Sequence, residues 1–475
     1  MPSAAIPVSC FVPSCGKVRS RSHTTEKGSR MDLQETKAAV LAQIDRRAEE
    51  ALDVAKHILN TPEPGFREQG TSRFVAQKLS ELGIPFEHGL ALTGLKGMLT
   101  GGKSGPTVGV FGELDSLIVP GHPFADPETH AAHACGHHTQ IGSLFTVAMG
   151  IQAPGVLESL AGRVALLVVP AEEFIEIEYR DGLRSQSKLE FLGGKSEFVK
   201  LGVMDDVDIA MMTHTENQDW RYTPGTKLGV GANNNGMIAK RIQFNGVASH
   251  AGGSPHLGVN ALNAANIALM AIHAQRETFR DDESIRIHPI ITKGGTVVSS
   301  VPADVRMETF VRGSTIESYM AAGKKVDRAL RAGAMAVGAS VDISTIPGYT
   351  PLAQDETLTE LYVSNAAQLV GADKIARMGH RSGSTDMGDI SQIMPAIHPY
   401  VAAATGKAHG NDYVVQDYEL AVTTAGKAMA MTIVDLLFDD AQRANSIVRD
   451  FQGGMTRSGY LSWLRDIYSE ETYTE

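Results

Sequence analysis

The sequence predicts an α/β fold built on a mainly parallel central sheet, with a ferredoxin-like α+β unit inserted into it. Three observations carry this. Apolar runs too short for helices and lacking polar alternation ("TVGVFG", "RVALLVV", "VDIAMMTH", "AIHPYVAA") are separated by helical stretches, the signature of strands buried on both faces. From about 232 to 347 the order becomes strand, helix, strand, strand, helix, strand, a split βαβ arrangement. The first pattern then resumes at "DETLTELYVSNAAQLVG", so the second unit interrupts the first; a chain of 475 residues has room for both.

Residues 1–30 are basic, nearly free of acids and broken by Pro7 and Pro13, which suits neither a secretory apolar core nor a helix. They read as a disordered tail ahead of an internal start at Met31, with an organelle-targeting peptide as the alternative. The catalytic unit is expected over 31–231 and 348–440. It opens with helices in "ETKAAVLAQIDRRAEEALDVAKHIL" and "TSRFVAQKLSELG", the latter stopped by Gly83. "TQIGSLFTVAMGIQ" and "SKLEFLGGKSEFVKLG" are helical between the buried runs. In the inserted unit, 232–347, strands are expected in "MIAKRIQFNG", "SIRIHPIIT", "DVRMETFVRG" and "SVDISTIP", with helices in "GVNALNAANIALMAIHAQRETF" and "IESYMAAGKKVDRALRAGAMAVG". Residues 441–475 form a polar extension with a short amphipathic piece around "YLSWLRDIY", to which the sequence assigns no role.

Composition narrows the function. A net charge of −11 argues against nucleic acid, which would want a basic face. No uninterrupted apolar stretch is long enough to span a bilayer, so no membrane partner is expected. Three cysteines, two of them in the first fifteen residues, cannot build a disulfide framework and point to a reducing, cytoplasmic setting. "GMLTGGKS" satisfies the phosphate-loop pattern, but a strand rather than a helix follows it, so it reads as a hairpin turn without nucleotide chemistry.

In an open α/β sheet, ligands bind beyond the carboxyl ends of the strands. Glu113 and Asp115 follow "TVGVFG", Glu172 and Glu173 follow "RVALLVVPA", His214 follows "DIAMM", and His409 follows "HPYVAAATGKA". "HACGHH" opens the helix after the first of these runs. In a turning segment, Cys135 and His137 can face one ion, and thiolate, imidazole and carboxylate together suit Zn, Mn, Co or Fe better than Ca or Mg. As a nucleophile Cys135 would instead need a cationic neighbourhood, which the converging acids do not offer. Adjacent Glu172 and Glu173 point opposite ways at a strand end, so one can ligate while the other moves the proton of an activated water. His133 and His138 could support these groups from behind; His122, His130, His256, His273, His288 and His398 read as ordinary core or surface residues. His250, in a glycine-rich loop of the inserted unit, could stabilise an oxyanion. Arg312 could hold a carboxylate bidentately.

"GELDSL", "HACGHH", "PAEE", "MMTH", "SHAGGSPHLGVNAL", "VPADVRMETFVRG", "GSTDMGD" and "AHG" occur in this order between about 35 and 438. On these motifs the chain resembles the M20 metallopeptidases, in particular their amidohydrolase branch. The resemblance implies a zinc-peptidase-like catalytic domain with an inserted lid and dimerisation domain, holding two divalent metal ions per subunit, Mn or Zn with Co also suited. It implies Cys135, His137, Glu173, His214 and His409 as ligands and Glu172 as general base. His250 would act at the scissile carbonyl, commonly in the partner subunit of a homodimer, and Arg312 would hold the substrate carboxylate. Two positions depart from the family pattern: His138 stands where an acid or amide is usual, and Ser299 replaces an Asn expected to contact substrate. The expected reaction is cleavage of a small carboxylate-bearing amide (an N-acyl amino acid, an aminobenzoyl-glutamate-like conjugate or a dipeptide), with a noncatalytic amide-binding protein on the same scaffold as the alternative.

Overall fold

Four strands pair in parallel at the centre of the main sheet: Ala161–Val169, Lys103–Glu113, Ile209–Met211 and Ala396–Ile397, in that spatial order. Gly94–Thr100 and Phe86–Leu90 add antiparallel strands beyond Ala161–Val169. This arrangement comes from a computed structural model that describes residues 31–218 and 223–474; the 1–30 tail lies outside them. The absence of alternation in the apolar runs has a direct cause. Val108, Val110, Leu166 and Val168 face one buried core, while Phe111, Ala165, Leu167 and Val169 face another. Each such side chain removed from water contributes about 1.5–3 kcal/mol, so both faces favour apolar residues.

The hairpin expected at "GMLTGGKS" does not form. Ala161–Val169 lies between Gly94–Thr100 and Lys103–Glu113 and pairs with both. The register slips between Lys103 and Thr107 as the chain steps across that intervening strand. No helix follows the motif, so the geometry that lets helix amides face a phosphate is missing.

Two of the expected strands are each split between sheets. The chain leaving Ile209–Met211 and the chain leaving Ala396–Ile397 step together into a second sheet, where His214–Asn217 pairs in parallel with Tyr400–Thr405. Pro399, which has no amide hydrogen to give a ladder, sits at the step and accepts the His214 N–H at 2.9 Å. The step carries His214 and His398 to the carboxyl edge of the main sheet.

Within 236–347, Gly236–Asn245, Arg286–Ile287 with Ile290–Lys293, Asp304–Gly313 and Ser340–Pro347 form an antiparallel sheet in which the first and third strands are central. The helices Ala261–Ala274 and Ile316–Met335 pack against it over a core of their own, including Ile242, Phe244, Ala268, Val311 and Val326. This is the ferredoxin-like strand order.

The C-terminal residues have a structural part that the sequence did not reveal. The helix Arg457–Ile467 buries Tyr460 and Leu464 in a core of the main sheet and Ile467 in the core of the inserted sheet. The chain then ends in Ser469–Tyr473, an added edge strand antiparallel to Ser340–Pro347. The helical run Glu419–Leu437 is long and apolar enough to cross a membrane by composition, but 89% of it is buried inside the protein. It is a core helix.

Candidate metal centre and active site

The parallel strands deliver their carboxyl ends to one edge, and the chemistry gathers there. A cavity of about 330 Å³ is lined by Cys135, Glu172, Glu173, His214, His409 and Arg312, among others. His137 lies buried beneath it.

Cys135 and His137 are aimed by Gly136, whose φ of 89° ends the incoming segment and starts the helix His137–Ile151. A side chain at that position would be strained in this backbone conformation, and its Cβ would crowd Thr215 Cβ at 3.1 Å and Tyr413 Oη at 3.2 Å. Both imidazoles of the centre are held alike. His137 Nδ1 meets the Asp115 carbonyl at 2.9 Å and His214 Nδ1 meets the Thr215 carbonyl at 2.8 Å. A carbonyl only accepts, so each Nδ1 carries a hydrogen and each Nε2 is the ring atom that faces the centre. Burial opposes a second proton on His137, but Glu113 and then Cys135 outweigh it and raise its proton affinity well above the usual value. His214 Nε2 lies 3.3 Å from Cys135 Sγ. His137 Nε2 lies 3.1 Å from Glu113 Oε2 and 3.8 Å from Glu172 Oε2, yet has no hydrogen-bond partner among the described residues; nor have Glu173 Oε1 and Asp115 Oδ1.

The Glu172–Glu173 turn is fixed through its backbone. Ala171 has a φ of 55°, a costly conformation for a residue with a side chain. Its N–H donates to Glu68 Oε1 at 2.9 Å and its carbonyl accepts from Arg180 Nη1 at 3.0 Å. Arg180 also donates to the carbonyls of Leu192 and Glu173, and Tyr349 Oη donates to the carbonyl of Glu172. Glu173 N–H donates to Asp115 Oδ2 at 2.8 Å. His409 comes from a loop that it enters with a φ of 63°, its N–H donating to the Ala134 carbonyl at 3.0 Å. Its Nε2 stands 3.5 Å from Glu173 Oε1.

The electrostatics are those of crowded acids. Burial, then Glu113, Glu173 and Asp386, push the Glu172 carboxyl well above the usual carboxylate range. Burial and Glu173 push the Cys135 thiol up. Burial and the neighbouring His137 bring His214 down to about 4. Glu113 goes the other way. Burial would raise it, but Lys195, then His137 and His214, outweigh that and hold it at about 2. Lys195, fully buried, lies 2.5 Å from Glu113 Oε1 and also pairs with Asp386.

Ligand atoms of Cys135, His137 and His214 lie within 4.8 Å of one another, and so do those of Cys135, Glu173 and His409. The two groups share the thiol and together comprise the five ligands the resemblance implies. A further group, Glu113, His137 and Glu172, overlaps the first through His137. Ring Nε2 atoms, a thiol and carboxylates converging on one point, several of them without a hydrogen-bond partner among the described residues, fit bound cations, and the soft-to-borderline donor set suits Mn, Zn or Co.

Other residues stand elsewhere than the sequence suggested. His138, buried, turns to Tyr418 Oη at 3.0 Å; burial and His137 lower it to about 3. It therefore packs as a neutral group outside the donor cluster. His250 and Ser299 lie on an exposed pair of loops, joined where Ala251 N–H donates to the Ser299 carbonyl at 2.9 Å, and neither lines the cavity. His398, read as an ordinary core residue, does line it, its ring 5.6 Å from that of His214. Sequence reasoning also gave no role to Lys195, Asp386, Arg180, Tyr349 and Arg381. Asp386 stood in the "GSTDMGD" motif and Lys195 had a local signal, a lysine after paired glycines at the start of a helix; the other three had neither. Arg381 lines the cavity above Tyr400, 4.0 Å from the ring centroid, and pairs with Glu216.

Residues 109–431 match the family described as Peptidase family M20/M25/M40. The chain is 30% identical over 325 residues to the Xaa-Arg dipeptidase of Mus musculus, an alignment covering 65% of this chain and 68% of that protein. It is 28% identical over 335 residues to the indole-3-acetyl-aspartic acid hydrolase of Enterobacter agglomerans, covering 65% and 69%. Among solved structures, a Bacillus subtilis protein described as a dinuclear metal binding peptidase from the M20 family superposes with a TM-score of 0.58 at 20% identity, covering 82% of this chain and 98% of its own. At that identity the likeness is one of fold.

Proposed function

The chain belongs to peptidase family M20/M25/M40, hydrolases of C–N bonds, and on that premise we propose that it is a two-metal amidohydrolase releasing an amino acid from an N-acyl amino acid, an aminobenzoyl-glutamate-like conjugate or a dipeptide. The observation that carries the reading is the convergence of Cys135, His137, Glu173, His214 and His409 beside a buried, unligated Glu172. Relatives named for an Xaa-Arg dipeptide and for indole-3-acetyl-aspartic acid support an amide substrate whose amine side is an amino acid.

Cys135, His137, Glu173, His214 and His409 would hold two cations, which would supply Lewis acidity to acidify water and polarise a carbonyl. Glu172 receives the proton of the attacking water and returns it to the departing nitrogen. Tyr349 and Arg180 keep the backbone of this turn in place. Arg312 lies half-buried in the same cavity and holds the carboxylate of the leaving amino acid.

His250 and Ser299 stand outside the cavity of their own chain, and the inserted unit exposes large apolar side chains, Met270 (71%), Ile290 (59%) and Val298 (102%) among them. Both facts support a homodimer formed through this unit, with His250 reaching the partner's carbonyl site.

The test combines elemental analysis with hydrolysis of a panel of N-acyl amino acids and dipeptides. Glu172→Gln is expected to cut turnover by about 10²–10⁴-fold while both metals remain bound. A near-normal rate in that variant overturns the mechanism, as does activity that survives exhaustive chelation together with an acyl group trapped on Cys135.

A further inference from the structure

A second cavity, of about 400 Å³, adjoins the first. The two share Phe310, Arg312 and Gly383, and the second is completed by Arg286, His288 and Ser382. Arg286 and Arg312 are direct partners across the antiparallel pairing of Arg286–Ile287 with Asp304–Gly313, so their side chains leave the same face of the sheet. Like charges placed directly opposite one another are destabilising. Arg312 feels Glu173 and Glu172 across the first cavity, but neither guanidinium is held in an ion pair among the described residues. Arg286 Nη1 donates to the neighbouring Ile285 carbonyl at 2.8 Å, the Arg312 guanidinium rests 5.3 Å from the Phe310 ring, and among the described residues no carboxylate pairs with either.

A third guanidinium sits close by. Arg276 donates from Nη2 to the Ile287 carbonyl at 2.8 Å and from Nε to His273 Nδ1 at 3.1 Å. Among the described residues no carboxylate pairs with it. Burial first, then Arg276, Arg312 and Arg286, lowers the affinity of His288 for a proton, as cations beside one ring should. Acids gather at Glu172 and Glu173 on one side of Arg312, and cations gather at Arg286 and His288 on the other.

We infer that Arg286, His288 and Arg312 form a second anion subsite, and that the preferred substrates are amides of dicarboxylic amino acids. This rests on the amidohydrolase reading above, in which Arg312 holds the α-carboxylate of the leaving amino acid. The side chain of that amino acid then extends past Arg312 into the adjoining cavity, where its carboxylate meets Arg286 in a charge-assisted, potentially bidentate contact and His288 supplies a further donor. A neutral side chain of the same shape leaves the guanidinium without its anion, and a site built to bind a polar group discriminates strongly against a substrate lacking it.

The experiment compares N-acetyl-glutamate with its near-isostere N-acetyl-glutamine on the metal-loaded protein, and free glutamate with free glutamine by calorimetric titration. The glutamyl substrate is expected to have a kcat/KM higher by about tenfold or more, one charge-assisted contact's worth of discrimination. The ratio should fall towards one in Arg286→Gln, remain intermediate in Arg286→Lys, and drop less in His288→Gln. A wild-type ratio of one, or a ratio unchanged in Arg286→Gln, overturns the subsite. The titration of the unaltered protein decides the matter if the variants fail to fold. Equal hydrolysis of both amides with equal product binding overturns the subsite and leaves the amidohydrolase reading standing. Absence of any hydrolysis with glutamate bound over glutamine overturns that reading and leaves the subsite.

Discussion

Asp389 shows how strongly a single buried group can tie this protein's stability to pH. Its Oδ1 accepts from Thr350 N at 2.8 Å and from Thr350 Oγ1 at 3.0 Å. Burial, helped by Asp386 and opposed by the Thr350 bonds, pushes the carboxyl up to about 8, against about 3.9 for an aspartate in an unfolded chain. Between those values the folded protein keeps a proton that the unfolded chain has released, so this group makes stability fall as pH rises from about 4 to about 8. Asp389→Asn removes that dependence. Its melting temperature relative to the parent protein should therefore rise from pH 5 to pH 8, as followed by circular dichroism; a constant difference across that range excludes the linkage. At the same scale, the departure at His138 is resolved by a hydrogen bond to Tyr418, 280 positions away in sequence. The Cys135–His137 spacing was legible because two residues apart in a turn can share an ion. The positions of Arg180 and Lys195 were not, because a buried charge gives no local pattern until its partners are known.

Secondary-structure elements were legible where their pattern repeats and obscure where it does not. The four strands and two helices of the inserted sheet follow the order read from period and turn residues. The helix Ile177–Ser185, by contrast, follows an acidic stretch with no clear period; its Arg180 ties it to the carbonyls of Ala171, Leu192 and Glu173. "AIHPYVAA" read as one strand, and Pro399 divides it between two sheets. The C-terminal helix was visible as the amphipathic "YLSWLRDIY", but the two cores it joins were not. Leu464 is 1% exposed and sits in a core of the main sheet, so Leu464→Ala should cost about 2–5 kcal/mol by urea denaturation. A loss below about 1 kcal/mol, the size of a surface change, would show that this helix merely rests on the molecule.

At the scale of the whole molecule the main question is which subunit each group serves. If His250 acts on the partner's substrate, His250→Ala and Glu172→Gln subunits, each inactive alone, restore one working site when they pair. Random mixing in a two-fold dimer then recovers about a quarter of the parent activity in a co-refolded mixture, assayed on a hydrolysed N-acyl amino acid. No recovery from mixed dimers assigns His250 to its own chain or to no catalytic part.

The amino-acid sequence by itself determined the α/β class and the strand order of the inserted sheet, because buried strands and helix periods leave local traces, and it put forward the candidate donors by their types and their places at strand ends. Only the tertiary structure decided what those donors face. The shared position of Cys135 between two donor groups, the Nε2 atoms of His137 and His214 turned to the centre, and the opposition of Arg286 to Arg312 all depend on residues brought together from distant parts of the chain. The same holds for the C-terminal strand, whose polar sequence carries no sign of the edge it completes, since the hydrogen bonds that hold it are made by backbone common to every residue.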